Sequence, residues 1–174
     1  ALTLKQSKDA PEVVLKLSDL LNYMLYECTA DQVLIDKEIK LLKDYIALEK
    51  IRYGNRLNIS FNILGKSDGK RVAPLMLLPF VENSFKHGVS EEMDEAWVSI
   101  DLELKSENLT LKVENSKSKH EDREDQFNYK QGIGLKNVQR RLELLYPEKH
   151  KLEMHDSDDS FLIVLSLDLS KDVD

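Results

Sequence analysis

The sequence predicts an α+β fold: a two-layer sandwich in which three helices cover a mixed, mostly antiparallel five-stranded sheet. Three observations lead there. Residues 57–63, 96–105 and 109–114 alternate apolar and polar side chains, the period of a strand with one apolar face. Residues 37–53, 74–88 and 132–146 instead repeat apolar side chains at helical spacing. Each such helix must bury its apolar side, and an apolar sheet face supplies the partner. At 174 residues, 41% of them apolar, the chain suits one domain with a real core plus a small appendage.

Taken in order, residues 1–9 are polar and weakly patterned. Asp9-Ala10-Pro11-Glu12 starts a helix, because proline fits the first turn and an acid favours it. Val13, Val14, Leu17, Leu20, Leu21, Met24 and Leu25 then form a wide apolar stripe. Such a stripe needs a partner, either the rest of the chain or another copy of the helix. Polar residues 27–31 break the pattern and mark a candidate domain boundary. Asp36 is placed to cap the helix at 37–53, which has Ile39, Leu42, Tyr45, Ile46 and Glu49 along one side. Gly54-Asn55 stops it. After the strand at 57–63, Asp68-Gly69 is a hairpin-turn signal, so 70–73 is expected to pair back as a short strand. Residues 96–105 and 109–114 form a hairpin across Ser106-Glu107-Asn108. Residues 115–131 are polar and charged and are expected to form a mobile loop. Residues 151–155 and 161–169 make a final hairpin, and 170–174 a frayed tail.

The formal charge of −7 and the lack of a basic tract argue against a general nucleic-acid surface. They do not argue against a nucleotide, for which a local nest of N–H groups and a few lysines suffices. Cys28 has no partner for an internal disulfide, which fits a reducing compartment and a small packed side chain. No apolar run is long enough to span a bilayer, and the N-terminus is not a signal peptide. The chain starts at Ala1 without methionine and is expected to be cut from a longer protein.

Two stretches carry chemistry. In the first, Pro74-Leu75-Met76-Leu77-Leu78-Pro79-Phe80-Val81-Glu82-Asn83-Ser84-Phe85-Lys86-His87-Gly88, a greasy helix ends in Glu82, Asn83, Lys86 and His87. Asn83 and Lys86 lie three apart and share a side, and Asn83 and His87 lie four apart. A carboxylate, an amide and a cation there suit a magnesium-bound polyphosphate, the oxygens on the hard cation and the lysine on the phosphate. A core helix with a solvated end explains the same residues without a ligand. In the second stretch, Lys130-Gln131-Gly132-Ile133-Gly134-Leu135-Lys136-Asn137 opens a helix through Val138, Leu142 and Leu145. Its glycines let a ligand approach the backbone, and the helix start offers free N–H groups to an anion. It lacks the third glycine of a dinucleotide fingerprint and the Gly-Lys-Ser/Thr ending of a P-loop.

In this order the two stretches resemble the N-box and G-box of the histidine-kinase ATP-binding domain, a fold shared with gyrase-type ATPases and Hsp90-type chaperones. The wording from Leu77 to Gly88 and from Gly132 to Tyr146 is most similar to LytS-type sensor kinases. Residues 17–27 and 38–53 also resemble that family. The resemblance implies that residues 1–30 are a helix of the dimerisation domain and 31–174 the catalytic ATP-binding domain. It implies ATP and Mg2+ as cofactors, with Asn83 as the magnesium ligand. Lys86 would touch phosphate with His87 beside it, and Glu82 would accept a proton or orient water. Gly132, Ile133, Gly134 and Leu135 would form the phosphate cradle, while Lys130 and Asn137, with Lys136 and Arg140, would add contacts. Residues 115–131 would be the ATP lid, with Lys117, Lys119 and Arg123 as further candidates for phosphate. Gyrase-type ATPases carry their water-activating glutamate where this chain has Pro79, so transfer to a protein side chain fits better than hydrolysis. Most relatives read adenine with Asp-x-Gly, whereas this chain has Val113-Glu114-Asn115-Ser116-Lys117. Asn115 can accept from the adenine amino group through its carbonyl oxygen, with Glu114 as the alternative, although strand alternation points Glu114 away.

The leading function is therefore a protein histidine kinase of a two-component system, which delivers the γ-phosphoryl of Mg–ATP to a histidine and thence to a response regulator. The phosphoacceptor histidine and, further back, membrane spans would precede Ala1. The chain would then be the cytoplasmic portion of an inner-membrane sensor, dimeric through the upstream helices. His87, His120, His150 and His155 lack the expected phosphoacceptor context, so the chain alone would bind nucleotide without phosphorylating itself. The alternative is a degenerate, non-enzymatic nucleotide-sensing or protein-interaction module of the same fold. A serine kinase of the anti-sigma type is a third reading, against which the apolar stripe at 13–25 argues.

Overall fold

The computed structural model describes residues 10–88, 96–117 and 133–170; of His87 and Ile133 it describes the backbone only. Helix α1 (Ala10–Tyr26) and a 3-10 turn (Glu27–Thr29) lead into a two-residue strand, β1 (Val33–Leu34). Then come α2 (Ile35–Tyr53), β2 (Leu57–Gly65), β3 (Arg71–Val72) and α3 (Leu78–Gly88). The hairpin β4 (Ala96–Lys105) and β5 (Asn108–Ser116), helix α4 (Ile133–Leu145) and the hairpin β6 (His150–Asp156) and β7 (Ser160–Asp168) complete the order.

The alternation in the strands builds the expected sheet. Its order is β2-β4-β5-β7-β6, with β2 parallel to β4 and every other neighbour antiparallel. Val98, Ile100, Leu102, Leu109, Leu111, Val113, Ile163, Leu165 and Leu167 form its buried face. The opposite face is polar where β2 meets β4: Ser60 donates to Ser99 at 2.9 Å and the Asn62 amide to Asp101 at 2.8 Å. A sheet with one apolar face takes one helical layer. That layer buries Ile39, Leu42 and Ile46 of α2, Phe80, Val81 and Phe85 of α3, and Leu135, Val138 and Leu142 of α4. α3 packs against β4, β5, α2 and α4 and is the centre of the layer. Gly65 has φ +89°, and a Cβ there would lie 1.9 Å from the Leu104 carbonyl oxygen, so the end of β2 requires glycine.

Four expectations change. The short strand at 70–73 does not pair with β2: Val72 pairs with Val33 in a separate two-stranded sheet, and the Lys70 carbonyl accepts from the Ile35 N–H at 2.9 Å. β2 is occupied by β4 on its only paired side. Asp36 does not cap α2, which begins one residue earlier behind Leu34; Asp36 accepts from the Ser67 hydroxyl at 2.8 Å. The 74–88 helix starts at Leu78, because residues 74–77 are held in another conformation, with Leu75 at φ +53°. Finally, β5 runs on through Asn115 and Ser116, both buried, so the polar loop begins later than residue 115; its residues 118–131 lie outside the described residues.

The stripe on α1 divides. Leu20 and Tyr23 are buried against α2, and ion pairs Lys16–Asp44 (3.2 Å) and Lys40–Asp19 (2.7 Å) flank them. Val14, Leu17, Leu21, Met24 and Leu25 remain exposed. Cys28 is half-buried, and burial pushes its thiol pKa up, which suits a packed, unreactive side chain.

Candidate functional site

The entrance to α3 is built around a buried carboxylate. Glu38, on the first turns of α2, is fully buried. Its Oε1 accepts from the Tyr23 hydroxyl at 2.5 Å and the Leu75 N–H at 2.8 Å. Its Oε2 accepts from the N–H groups of Met76 and Leu77, both at 3.2 Å. These donors would otherwise be orphans ahead of a helix, and proline at 74 and 79 adds none. Burial raises the Glu38 pKa and the four hydrogen bonds pull against it. From α4, Arg141 donates to the carbonyls of Pro74 (2.7 Å) and Leu75 (3.2 Å), and the Tyr146 hydroxyl accepts from the Ala73 N–H at 2.8 Å. Residues 73–77 are thus fixed from both sides, and so is the direction in which α3 leaves them. The sequence reading missed Glu38, Arg141 and Tyr146. The available signal was an acid at 38 on the same helical side as Ile35, Leu42 and Glu49.

Along α3, Phe85 is buried and meets Tyr45 edge to face at 5.7 Å, while the buried Ser84 hydroxyl donates to the Val81 carbonyl at 2.7 Å. The outer side carries Glu82 and Lys86, exposed, and Asn83, half-buried. The side chain of His87 lies outside the described residues. Glu82 and Lys86 line a cleft of ≈ 320 Å³ whose other wall is the last turns of α2.

Asn115 is 2% exposed, on the same face of β5 as Val113 and under the helical layer. Its amide donates to the Ser116 carbonyl at 2.8 Å. Glu114 lies on the other face, where it accepts from the Ser160 hydroxyl at 2.8 Å, as strand alternation required. Lys117 is engaged elsewhere than expected: its amine binds Asp156 at 2.7 Å and the Ser157 carbonyl at 2.8 Å, and its N–H the Asp159 carbonyl at 3.0 Å. The end of β5 is thereby pinned to the β6–β7 turn.

The second motif sits at the start of α4. Gly134 is exposed, and a Cβ built there would have no neighbour within 4 Å among the described residues, so their packing does not demand glycine. Leu135 is buried and anchors the first turn, with Lys136, Asn137 and Arg140 exposed around it. Lys130 and Gly132, with Lys119 and Arg123, lie outside the described residues. Among the described residues no group of three or more His, Cys, Asp or Glu is arranged to hold a metal ion.

Comparison with known proteins agrees with this fold. A family model described as histidine kinase matches residues 1–57. The sensor protein LytS of Staphylococcus epidermidis is 26% identical over 165 residues, 90% of this chain and 28% of the relative. The chain thus spans little more than a quarter of that relative. Among solved structures, the catalytic domain of histidine kinase ThkA superposes with a TM-score of 0.53 at 13% identity, covering 79% of this chain and 94% of that one. The Acinetobacter baumannii histidine kinase AdeS does so with a TM-score of 0.55 at 15% identity, covering 97% and 82%. At these identities the structures speak for the fold, an α+β sandwich of the histidine-kinase catalytic type.

Proposed function

From the premise that the chain is a homologue of the LytS-type sensor histidine kinases, we propose that it is the ATP-binding catalytic part of a two-component kinase. In this reading residues 31–174 are the catalytic domain and 1–30 belong to the dimerisation domain. The observation that supports it is the packing of α3, the helix that carries Asn83 and Lys86, directly against α4, the helix that the second motif opens.

Each residue then has a task. Asn83 holds Mg2+ through its amide oxygen, and Lys86 neutralises phosphate oxygens with His87 beside it. Gly132, Ile133, Gly134 and Leu135 present N–H groups to the phosphates, and the lack of any described residue within 4 Å of a Cβ at Gly134 supports a close approach there. Lys130 and Asn137 add side-chain contacts. Asn115 accepts from the adenine amino group, and Glu82 orients water or takes up a proton. Bound Mg–ATP supplies the γ-phosphoryl group. The protein's part is to position it away from water, since Pro79 offers no base where a hydrolase has one. The acceptor is a histidine of the dimerisation domain, and a response regulator receives the phosphoryl group from it. The exposed side of α1, with Val14, Leu17, Leu21, Met24 and Leu25, supports pairing with further helices in a homodimer. No helix among the described residues is long and apolar enough to cross a membrane. The domain would work at the cytoplasmic face of a membrane sensor.

Calorimetry tests this reading. Mg–ATP should bind, and Asn83→Ala should abolish the magnesium-dependent part. Incubated with labelled ATP, the chain should take up no acid-labile phosphate. The inward hydrogen bond of Asn115 and the ion pair of Lys117 favour one second reading, a nucleotide-blind interaction module. A folded chain that ignores ATP at millimolar concentration decides for it.

A further inference from the structure

We propose that Arg52 is a second basic contact to the terminal phosphoryl group and that Glu49 is the residue positioning it. This rests on the nucleotide reading above and adds to it a wall of the site that neither sequence motif contains.

The cleft beside α3 is formed from two helix ends. Arg52 and Tyr53 stand on the last turn of α2, Glu49 one turn back, and Glu82 and Lys86 near the end of α3. Lys86 shares its own helix side with Glu82, four residues earlier. Glu49 and Glu82 balance the two cations of this cleft in formal charge, so what it offers a phosphoryl group is directed N–H donors rather than a net positive field. Arg52 lines the same cleft and is 68% exposed in its side chain. Its guanidinium lies over the Tyr53 ring at 4.9 Å, which holds the planar group without using its N–H donors.

The second observation is Glu49. Its residue is 8% exposed, and its Oε2 is the only buried side-chain nitrogen or oxygen, among the described residues, with no hydrogen-bond partner. Tyr45 is hydrogen-bonded to the same carboxyl group. Arg52 Nη1 stands 3.6 Å from Oε2, close enough to feel the charge and too far for a hydrogen bond. A buried carboxylate oxygen without a donor is costly, and burying a hydrocarbon there would have been simpler. As a positioning group it makes sense: it draws the guanidinium to the rim of the cleft and leaves the fork free. A forked, always-charged donor matches the equatorial oxygens of a transferring phosphoryl group better than a second lysine would. Easing the negative end of the α2 dipole would explain a cation at this place, but lysine would serve equally and no buried orphan oxygen would be required.

The test titrates Mg–ATP and Mg–ADP into the full 174-residue chain and into R52A, R52K, E49Q and N83A, with thermal unfolding of each. Arg52→Ala should weaken Mg–ATP by about tenfold and leave Mg–ADP within about twofold. Arg52→Lys should recover only part of the loss. Glu49→Gln should weaken Mg–ATP selectively without lowering the melting temperature, an outcome a purely structural glutamate would not give. An R52A chain with the parent's preference for ATP over ADP overturns the inference, as does equal loss of both nucleotides with a lowered melting temperature. A parent chain that binds neither nucleotide overturns the nucleotide reading and this inference together. Asn83→Ala should lose both nucleotides alike, which separates the metal site from the Arg52 contact.

Discussion

Tyr23 on α1 donates its hydroxyl to Glu38 on α2, and the same carboxylate holds the three N–H groups that precede α3. The helix outside the sandwich and the helix carrying Asn83 therefore share one buried charge. Removing the hydroxyl takes one of four donors from a desolvated carboxylate. Tyr23→Phe should cost about 1–3 kcal/mol, since hydrogen bonds to buried charged groups lie in that range. Urea unfolding measures it, and a change below about 0.5 kcal/mol would mean that the bond is not maintained in solution.

Glu38 also makes a pH prediction. Burial raises its pKa above the ordinary 4.5, so the folded chain holds that proton more tightly than the unfolded one. Its contribution is fully present below pH 4.5 and is lost as the pH rises through the folded value. Glu38→Ala should cost about 3 kcal/mol or more near neutral pH, by stranding three N–H groups. The gap between parent and variant should widen as the pH is lowered toward 4.5. Melting curves of both chains across that window check the sign; a gap that narrows on acidification contradicts it.

Much of this architecture was legible in the sequence, and the exceptions share a cause. The β4–β5 hairpin, α4 and the β6–β7 hairpin declare themselves through local period and turn residues. Val33–Val72 pairing did not, because a ladder of two residues has no period to detect. The start of α3 was misplaced because its preceding N–H groups answer to Glu38, distant in sequence, and a window around Pro74 contains no trace of that partner. On the site, Glu82 and Lys86 are exposed and line one cleft while Asn83 is half-buried, and strand parity put Asn115 on the buried face with Val113. The ion pair holding Lys117 to Asp156 joins separate turns, and composition alone could only mark both as solvated.

Tyr146→Phe isolates the other tether of the same segment. Burial raises the Tyr146 pKa, and its hydroxyl accepts the N–H of Ala73, which is 3% exposed. Phenylalanine keeps the ring and strands the amide, so the cost should be about 1–3 kcal/mol. Hydrogen exchange at Ala73 should quicken more than at Leu111 in the sheet. Uniform quickening throughout the chain would show instead that the segment opens only with global unfolding.

Two glycines should respond oppositely to alanine. At Gly65 the new Cβ would meet the Leu104 carbonyl at 1.9 Å with φ at +89°, so β2 must shift or break; a loss of about 3 kcal/mol or more is expected. At Gly134 the same Cβ meets nothing within 4 Å among the described residues, and alanine favours a helix by up to about 1 kcal/mol, so Gly134→Ala should match or exceed the parent in stability. If a phosphate rests on the start of α4, the methyl group occupies its approach, and Mg–ATP affinity should drop in a protein that has become no less stable. Calorimetry beside a melting curve reads both quantities on one sample. A Gly134→Ala chain that binds Mg–ATP like the parent would remove the glycine-led helix start from the nucleotide site, whatever Asn83 does.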